Sequence, residues 1–550
     1  MRRDARDVRR FRLREPDSRY TEGSVEPIPD SASELDPQIL ALLGEPFLAY
    51  ICAASEEAIA ERVAGRKELA PRQEAALSAI LGLSHQLMNS RNLMQVGNVQ
   101  VPEAPADVLS RLCIRFQGQE NAFSTELRGR AGGSVVDFSS EDDLLRPVLE
   151  MAQDYYPALL LPREHSPFDR SPFPVPLGIA TLAAPGNAAV AAAIGEDESL
   201  RELFPQGDIE LDSYSRRFMA RSGRGSSAHA SFLATTFLIN AEPQAWRTGK
   251  LSRQSYLRAV RDEVEGARRL AFGQETTVRV SVGLAPAELS DDWRLTTPWG
   301  ILRAPNSWER RWAPEQAGVV LDVEFPMAIL LGDPEGSDFE EFMRPNIELE
   351  ANVDQLRLAL VLATPGNHPF ALSQVWQLIP DPLQLPGFRF GFAQPKPGAG
   401  DTASQSELKR WCRLVLDRHR PGLDLAARRL LSSLATRTQP EDGLLDAMVA
   451  LESLFGTGQS EIGFRLSVAV AWLLDDDRKS RAKRQKQVAA LYGKRSRIVH
   501  GAHLKRQEVE EAQVEATQLV IDAMRALYAE RPELIADDQR GKTLALAGPT

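Results

Sequence analysis

Apolar residues recur along this chain with two different periods, and the change of period divides it. From Asp36 to Val96, Leu43, Phe47 and Ile51, then Ala75, Ile80, Leu83 and Leu87, fall at helical spacing, the stripe of amphipathic helices. Residues 97–270 are mixed. Strand-like runs at Leu112–Phe116 and Ser134–Phe138 alternate with helical patterns such as Asp142–Tyr155 and Ser252–Leu270. From Glu275 to Leu331 the period shifts towards two, with Val278, Val280 and Val282 alternating with Thr277, Arg279 and Ser281. Together with Trp293–Leu302 and Val319–Leu331, this predicts a small antiparallel β domain. Ile347–Leu362 returns to a helical period and leads towards the C-terminal part of the chain. Gln394–Asp401, with its prolines and glycines, reads as a linker.

Beyond the linker the pattern is wholly helical. Ser404 with Glu407 three residues later is a capping-box start, and Leu408, Trp411, Cys412 and Val415 continue its stripe. A second helix carries Leu444, Met448, Leu451 and Phe455, and a third Ile462, Leu466, Ala469, Val470 and Leu473. Asp475, Asp476 and Asp477 sit where the positive end of a fourth helix falls, which suits its dipole. The last helix carries Val509, Ala512, Ala516, Leu519, Ala523 and Leu527. Short connections predict an antiparallel bundle. The expected organisation is therefore a multidomain α+β chain. It runs as a disordered basic arm (1–34), a helical module (35–96), a mixed α/β region (97–270) and a β-rich domain with a trailing helix (271–393). A linker (394–403), an all-α helical bundle (404–532) and a tail (533–550) follow.

Composition narrows the function. A chain of 550 residues exceeds one core. The net charge of −11 argues against wholesale coating of nucleic acid, so any polyanion site is a local basic patch. Cys52, Cys113 and Cys412 lie far apart with no pair spacing, which predicts buried thiols in a reducing compartment and no zinc ribbon. No metal or cofactor is expected. The arginine-rich start lacks an apolar signal core, and no apolar run spans a bilayer. The expected location is the cytoplasm, without a membrane partner.

Two minor motifs have bland alternatives. Ala53–Gly65 is similar to the helix-turn-helix core of antitoxin-type DNA-binding domains, but small helical packing modules share the pattern and are the favoured reading; reading bases needs polar side chains at the start of the second helix. Arg221–Ser227 offers backbone N–H groups to a phosphate but lacks the lysine and spacing of a P-loop, which favours a plain surface loop.

The strongest chemical signal lies in the bundle. Ala450–Phe455, then Phe464–Ala469, then Tyr492–Gly501 resemble the ordered motifs of the Apea-like HEPN family. The resemblance covers about a quarter of the chain. It implies a helical bundle, commonly dimeric, and in many members a metal-independent endoribonuclease of toxin–antitoxin or antiphage defence systems. An antitoxin or a phage-derived trigger would then be a partner. The family motif is an arginine, four to six residues, then a histidine, often with a polar residue after the arginine. Arg495, Ser496 and His500 match it. Arg224 with His229, Arg413 with His419, and Arg497 with His503 satisfy the loose spacing too, without the family context. The alternative readings are a catalytically silent HEPN scaffold and a DNA-binding regulator acting through residues 36–95.

The residue types suit the chemistry that the resemblance implies. RNA is cut without metal when its own 2′-OH attacks the adjacent phosphorus. That step needs a group that moves a proton near neutral pH, and imidazole does so. It also needs a fixed cation for the growing phosphorane charge, which an arginine fork supplies. Five helical steps turn about 500°, so Arg495 and His500 do not share a face of one straight helix. Either Gly501 ends the helix just after His500 and swings the chain, or two copies bring their motifs to one cleft, as the family implies. The basic run Arg478–Lys486, with Lys483, Arg484 and Lys486, continued by Lys494, Arg497, Lys505 and Arg506, is expected to track an RNA backbone or to form a solvated face. Glu452 and Arg465 belong to the family pattern with Tyr492, and a buried Glu452–Arg465 pair locking two helices is expected ahead of the alternative, a direct catalytic role.

Overall fold

The computed structural model describes residues 36–89, 93–96, 99–102, 105–115, 119–162, 185–204, 209–247, 251–285, 292–312, 317–332, 337–364, 372–390, 404–456 and 462–546. The arm 1–34 and the linker 394–403 lie outside these residues. The chain forms two compact units, one of Met1–Cys113, Asn121–Val135 and Leu160–Pro162, the other of the remainder. Its class is mixed α+β, with a helical C-terminal region. No helix among the described residues is long and apolar enough to cross a membrane.

The first unit is built on helices α1 (Pro37–Ile51), α2 (Glu56–Val63) and α3 (Pro71–Asn89). Asp36 caps α1 by accepting from Gln38 N at 2.8 Å, and Ser55 caps α2 by accepting from Ala58 N at 3.1 Å. Leu43, Phe47, Ile51, Ile59 and Ile80 form its core at full burial. A hairpin of β1 (Leu93–Val96) and β2 (Val99–Pro102) follows, then α4 (Pro105–Ser110) and α5 (Phe123–Arg130). The α2 helix starts with Glu56 and Glu57, both exposed carboxylates. These repel a phosphate backbone, which weighs against the DNA-reading alternative.

Two expected strands are absent. Arg111–Cys113 forms a 3-10 turn instead of the start of a strand at Leu112–Phe116. Ser134–Phe138 pairs with no described strand. Its backbone is served by a side chain: Val136 N donates to Gln153 Oε1 at 2.7 Å, and Gln153 Nε2 donates back to Val136 O at 3.3 Å. Gln153 lies on α6 (Leu145–Tyr155) and is buried. A buried amide thus supplies the donor and acceptor that a neighbouring strand would otherwise provide.

The second unit continues through α7 (Pro185–Glu196), the strands β3 (Phe218–Ala220) and β4 (Arg224–Ser226), then α8 (Ala230–Trp246) and α9 (Arg253–Ala271). A six-stranded antiparallel sheet comes next. Its strands are β5 (Thr276–Ala285), β6 (Arg294–Thr297), β7 (Gly300–Arg303), β8 (Val319–Met327), β10 (Ser373–Asp381) and β11 (Gln384–Phe390), in the order β11-β10-β5-β8-β7-β6. Short α10 (Ser307–Trp312) lies between β7 and β8. The two-residue alternation holds only in the first half of β5, where Val278 and Val280 are buried while Thr277 and Arg279 are exposed; from Val280 to Ala285 every residue is buried, Ser281 included, because both faces are covered there. A third sheet pairs β3 with β4 and with β9 (Ile329–Leu331), so the division expected near residue 270 is bridged by strand pairing. Arg221–Ser227 is not a phosphate cradle but the β3–β4 turn at Arg221–Gly223 followed by β4 itself. Arg221 is buried and donates to Phe342 O at 3.0 Å and Pro326 O at 2.7 Å.

The trailing helix α11 (Ser337–Ala363) does not pass straight to the bundle. The chain first returns as β10 and β11, which join the sheet beside β5. Nearly all of β10 is buried, so its sequence lacks the alternation of a half-exposed strand. The tip of this hairpin meets α8 and α9. Asn240 Nδ2 donates to Asp381 O at 2.7 Å and to Gln384 O at 3.1 Å, and Glu263 of α9 is buried nearby, within the field of Asp381.

The C-terminal region comprises α12 (Gln405–Arg418), α13 (Asp424–Leu431), α14 (Pro440–Phe455), α15 (Ile462–Leu474), α16 (Arg478–Val499), α17 (Arg506–Ala529) and α18 (Arg540–Leu546). Ser404 caps α12, accepting from Glu407 N at 3.3 Å, but Glu407 pairs with Arg410 at 3.2 Å instead of closing the expected capping box. Leu444, Met448 and Leu451 of α14 are fully buried, as are Val509, Ala512 and Leu527 of α17. Residues 533–546, expected as part of a tail, hold most of a 3-10 turn and α18, with Arg540 and Leu544 buried. Ser373 Oγ donates to Ala435 O at 2.7 Å and Arg525 Nε to Leu362 O at 3.0 Å, fastening the bundle to β10 and α11. All three cysteines are free and buried, and burial pushes the Cys52 and Cys412 thiols up to about 12.

Candidate functional site

The helix that carries the arginine–histidine motif is unusually open. Of the 22 residues of α16, only Val488 and Leu491 are buried. Its ends are set by local chemistry. Asp477 is the N-cap, accepting from Lys479 N at 2.9 Å and Ser480 N at 3.0 Å. The C-terminal end closes where the sequence places it. His500 is the C-cap, and Gly501 follows at φ +81°, in the left-handed region that a side chain disfavours. Gly501 N donates to Ile498 O at 2.9 Å and Ala502 N to Arg497 O at 2.9 Å, the paired bonds of a Schellman-type stop.

Arg495 lies one and a half turns before this stop, where α14, α15 and α16 meet. Its guanidinium is 5.8 Å from the centre of the Tyr492 ring, one turn earlier on α16. Its Nη2 is 3.6 Å from Glu452 Oε1 on α14, an ion pair too long to be a hydrogen bond. Arg495 Nε and Glu452 Oε1 are both buried and have no hydrogen-bond partner. The two side chains remain about a quarter exposed, at 26% and 23%. The guanidinium is thus held by a ring and a carboxylate while part of its donor fork stays unused. Ser496 is half-buried; His500 is exposed, and among the described residues no hydrogen bond joins it to Arg495. Glu452 therefore lies against Arg495, on the motif helix, where the sequence suggests Arg465. Arg465 is half-buried on α15.

One participant is missing from the sequence reading. A Cβ at Gly463 of α15 would lie 2.8 Å from Tyr492 Cδ1 and 3.1 Å from Cε1. The ring that backs Arg495 therefore rests on the bare backbone of α15. A glycine inside a helical stripe was the available signal, since it often marks a close approach. Gly463→Ala is expected to cost about 1–3 kcal/mol, the usual penalty for overpacking. In urea unfolding, the cost should largely vanish when Tyr492→Ala is added. Additive costs would show that the ring does not set the constraint.

The basic run divides into held and free cations. Arg481 lies 3.7 Å over the Trp472 ring and donates to Asp475 O at 2.8 Å. Arg484 pairs with Asp475 at 3.1 Å. Lys494 and Arg497 share Glu508, at 3.8 and 3.2 Å. Lys483 and Lys486 are exposed on α16. The RNA-facing charge expected from five cations therefore falls mainly on these two, because Arg484 is offset by its own carboxylate.

The other loosely spaced pairs are differently placed. His419 has both ring nitrogens engaged, by Tyr528 Oη at 2.5 Å and Asp424 Oδ1 at 2.7 Å. His229 bonds Ser231 Oγ at 2.5 Å, while Arg224 donates to Leu385 O at 2.6 Å. Among the described residues, no group of three or more His, Cys, Asp or Glu side chains is arranged to hold a metal ion. No protein-family model matches the chain, and no curated protein and no solved structure matches it.

Proposed function

We propose that this chain is a metal-independent HEPN-type endoribonuclease, working as a toxin or antiphage defence effector, with Arg495 and His500 as its reactive groups. The observation that carries this reading is the arginine itself. It is braced on Tyr492 beside Glu452, its Nε is unused, and it precedes an exposed histidine at a helix end. A braced guanidinium whose side chain stays about a quarter exposed suits an anion that arrives from outside, such as a phosphodiester. In the reaction, the 2′-oxygen of RNA bonds to phosphorus as its proton is removed. The P–O5′ bond breaks and the departing O5′ takes up a proton. Arg495 stabilises the charge that builds on the phosphoryl oxygens, and His500 handles a proton. A homodimer would bring two histidines to one site, one to take the 2′ proton and one to protonate O5′. Ser496 belongs to the catalytic set with Arg495 and His500 in this reading, Glu452, Arg465 and Tyr492 support it, and an antitoxin or phage-derived trigger would set the activity.

One observation favours a binding-only alternative: His500 points to solvent without a link to Arg495. Incubating the purified chain with total RNA, with and without EDTA, separates the two. The nuclease leaves 2′,3′-cyclic phosphate ends in both conditions; a scaffold leaves the RNA intact.

The exposed lysines should set RNA affinity. Replacing Lys483 and Lys486 with Gln is expected to reduce the slope of log affinity against log salt by roughly 1.4, at about 0.7 per single-strand phosphate contact. Arg484→Gln should leave that slope unchanged, because Asp475 already offsets the charge. Equal slopes for parent and double variant would assign these lysines to a solvated face.

A further inference from the structure

A groove of about 520 Å³ runs between α16 and α17, away from the Arg495 site. Glu510, Glu511, Glu515 and Asp522 of α17 line it, with Arg484 of α16 on the other wall. Val514 lies in it 56% exposed, an apolar side chain left open to water. Arg484 does not offset the four carboxylates, because Asp475 holds it at 3.1 Å. Glu510 has Arg506 at 2.8 Å and Asp522 has Arg525 at 3.7 Å. Glu511 and Glu515 are bonded only by neutral glutamines: Gln507 Nε2 donates to Glu511 at 3.0 Å and Gln487 Nε2 to Glu515 at 2.5 Å. The result is an apolar notch with an under-neutralised acidic rim.

We propose that this groove docks a basic segment of a protein partner, with an apolar side chain seated on Val514 and flanking Lys or Arg residues paired to Glu511 and Glu515. Charge decides the occupant. RNA is excluded from the notch because four carboxylates face it, and phosphates are repelled at this range. Length agrees: the rim from Glu511 to Asp522 spans about 16 Å at a rise of 1.5 Å per residue. That accommodates about five residues of extended chain. An apolar anchor ringed by charge pairs is the usual division of labour in an interface, the anchor supplying affinity and the rim orientation. Because one wall of the groove is α16, its occupant would touch the helix that bears Arg495 and His500. The docking itself does not depend on RNA cleavage.

The test is fluorescence anisotropy with the full chain and a labelled octapeptide, Lys-Arg-Leu-Lys-Arg-Leu-Lys-Arg, at about 50 mM salt, where surface charges act at full reach. Binding is expected, and Glu511→Gln with Glu515→Gln should weaken it about tenfold, two rim pairs at up to about 1 kcal/mol each. Val514→Arg, at an exposed position that does not bear on folding, should weaken it as well. Replacing both peptide leucines with serine should cost a further fivefold or so, the loss of a seated apolar side chain. The paired change Glu56→Gln and Glu57→Gln, in the other unit, should have no effect. Equal binding by parent and groove variants would overturn the proposal, as would serine and leucine peptides of equal affinity. A concentration-dependent dimer abolished by the Glu511 and Glu515 changes would give the groove to a second copy and equally overturn it.

Discussion

His500→Ala should lower RNA cleavage by about 10²-fold or more, the usual scale for losing a general acid–base group. Little else should change, because His500 is an exposed C-cap and Gly501, not the imidazole, makes the turn. Arg495→Ala should do comparable damage by leaving the phosphorane charge uncompensated. Arg495→Lys should recover only part of the rate, since an ammonium lacks the planar fork and stands differently on Tyr492. Arg497→Ala and His503→Ala are the controls, as that pair shares the spacing but Arg497 is turned to Glu508. Single-turnover cleavage of a labelled RNA, in EDTA, reads all five variants. If His500→Ala cuts as fast as the parent while His503→Ala does not, the assignment of the histidine is wrong. A parent that leaves RNA intact hands the site to the binding-only reading.

A second large effect belongs to the buried carboxyl at the hairpin tip. Burial, then the charges of Asp381 and Asp262, push Glu263 up to about 8 against the opposing pull of Arg247. Burial likewise pushes Asp381 up to about 6, against backbone hydrogen bonds from Leu383 and Gln384 and the charge of Arg224. Both shifts raise a folded-state carboxyl above its unfolded value. Between the two values the folded chain therefore holds more protons than the unfolded chain, and stability falls as pH rises. For Glu263 the contribution is complete below the ordinary carboxyl value of 4.5 and is lost as pH rises through about 8. At about 1.4 kcal/mol per unit, the loss is on the order of a few kcal/mol. Glu263→Gln removes the ionisation and keeps an oxygen for Gln244 Nε2. The variant should match the parent near pH 5 and melt roughly 5 °C higher near pH 9. Its own decline should level off above about 6, where Asp381 has titrated. Parallel melting curves from pH 5 to 9 would show that Glu263 is not the titrating group.

The features legible in the sequence share one physical origin. Ser404 before Glu407, the aspartates before Arg478 and Gly501 after His500 act on backbone groups within about four residues of themselves. The alternation of Val278, Val280 and Val282 likewise reflects the geometry of their own strand, whatever lies across from it. Such signals survive any tertiary arrangement, so the helix ends at Ser404, Asp477 and Gly501 fall where the sequence places them, whereas α13, α18 and the β10–β11 hairpin carry no local signal of this kind.

Tertiary structure decided the partners. Nothing local to Gln153 announces that its amide will replace a strand beside Val136, and nothing near Ser373 announces that the chain turns back into the sheet before the bundle. The candidate site follows the same division. Sequence alone named Arg495 and His500, ended their helix and gathered five cations around them. Packing then chose Arg495 as a partner for Glu452, set Tyr492 on Gly463, and gave Arg484 to Asp475. Those choices depend on which helix faces come within a few ångströms of each other, and burial makes an unpaired charge costly enough to enforce them. Spacing along one helix carries no record of what another helix will bring to it.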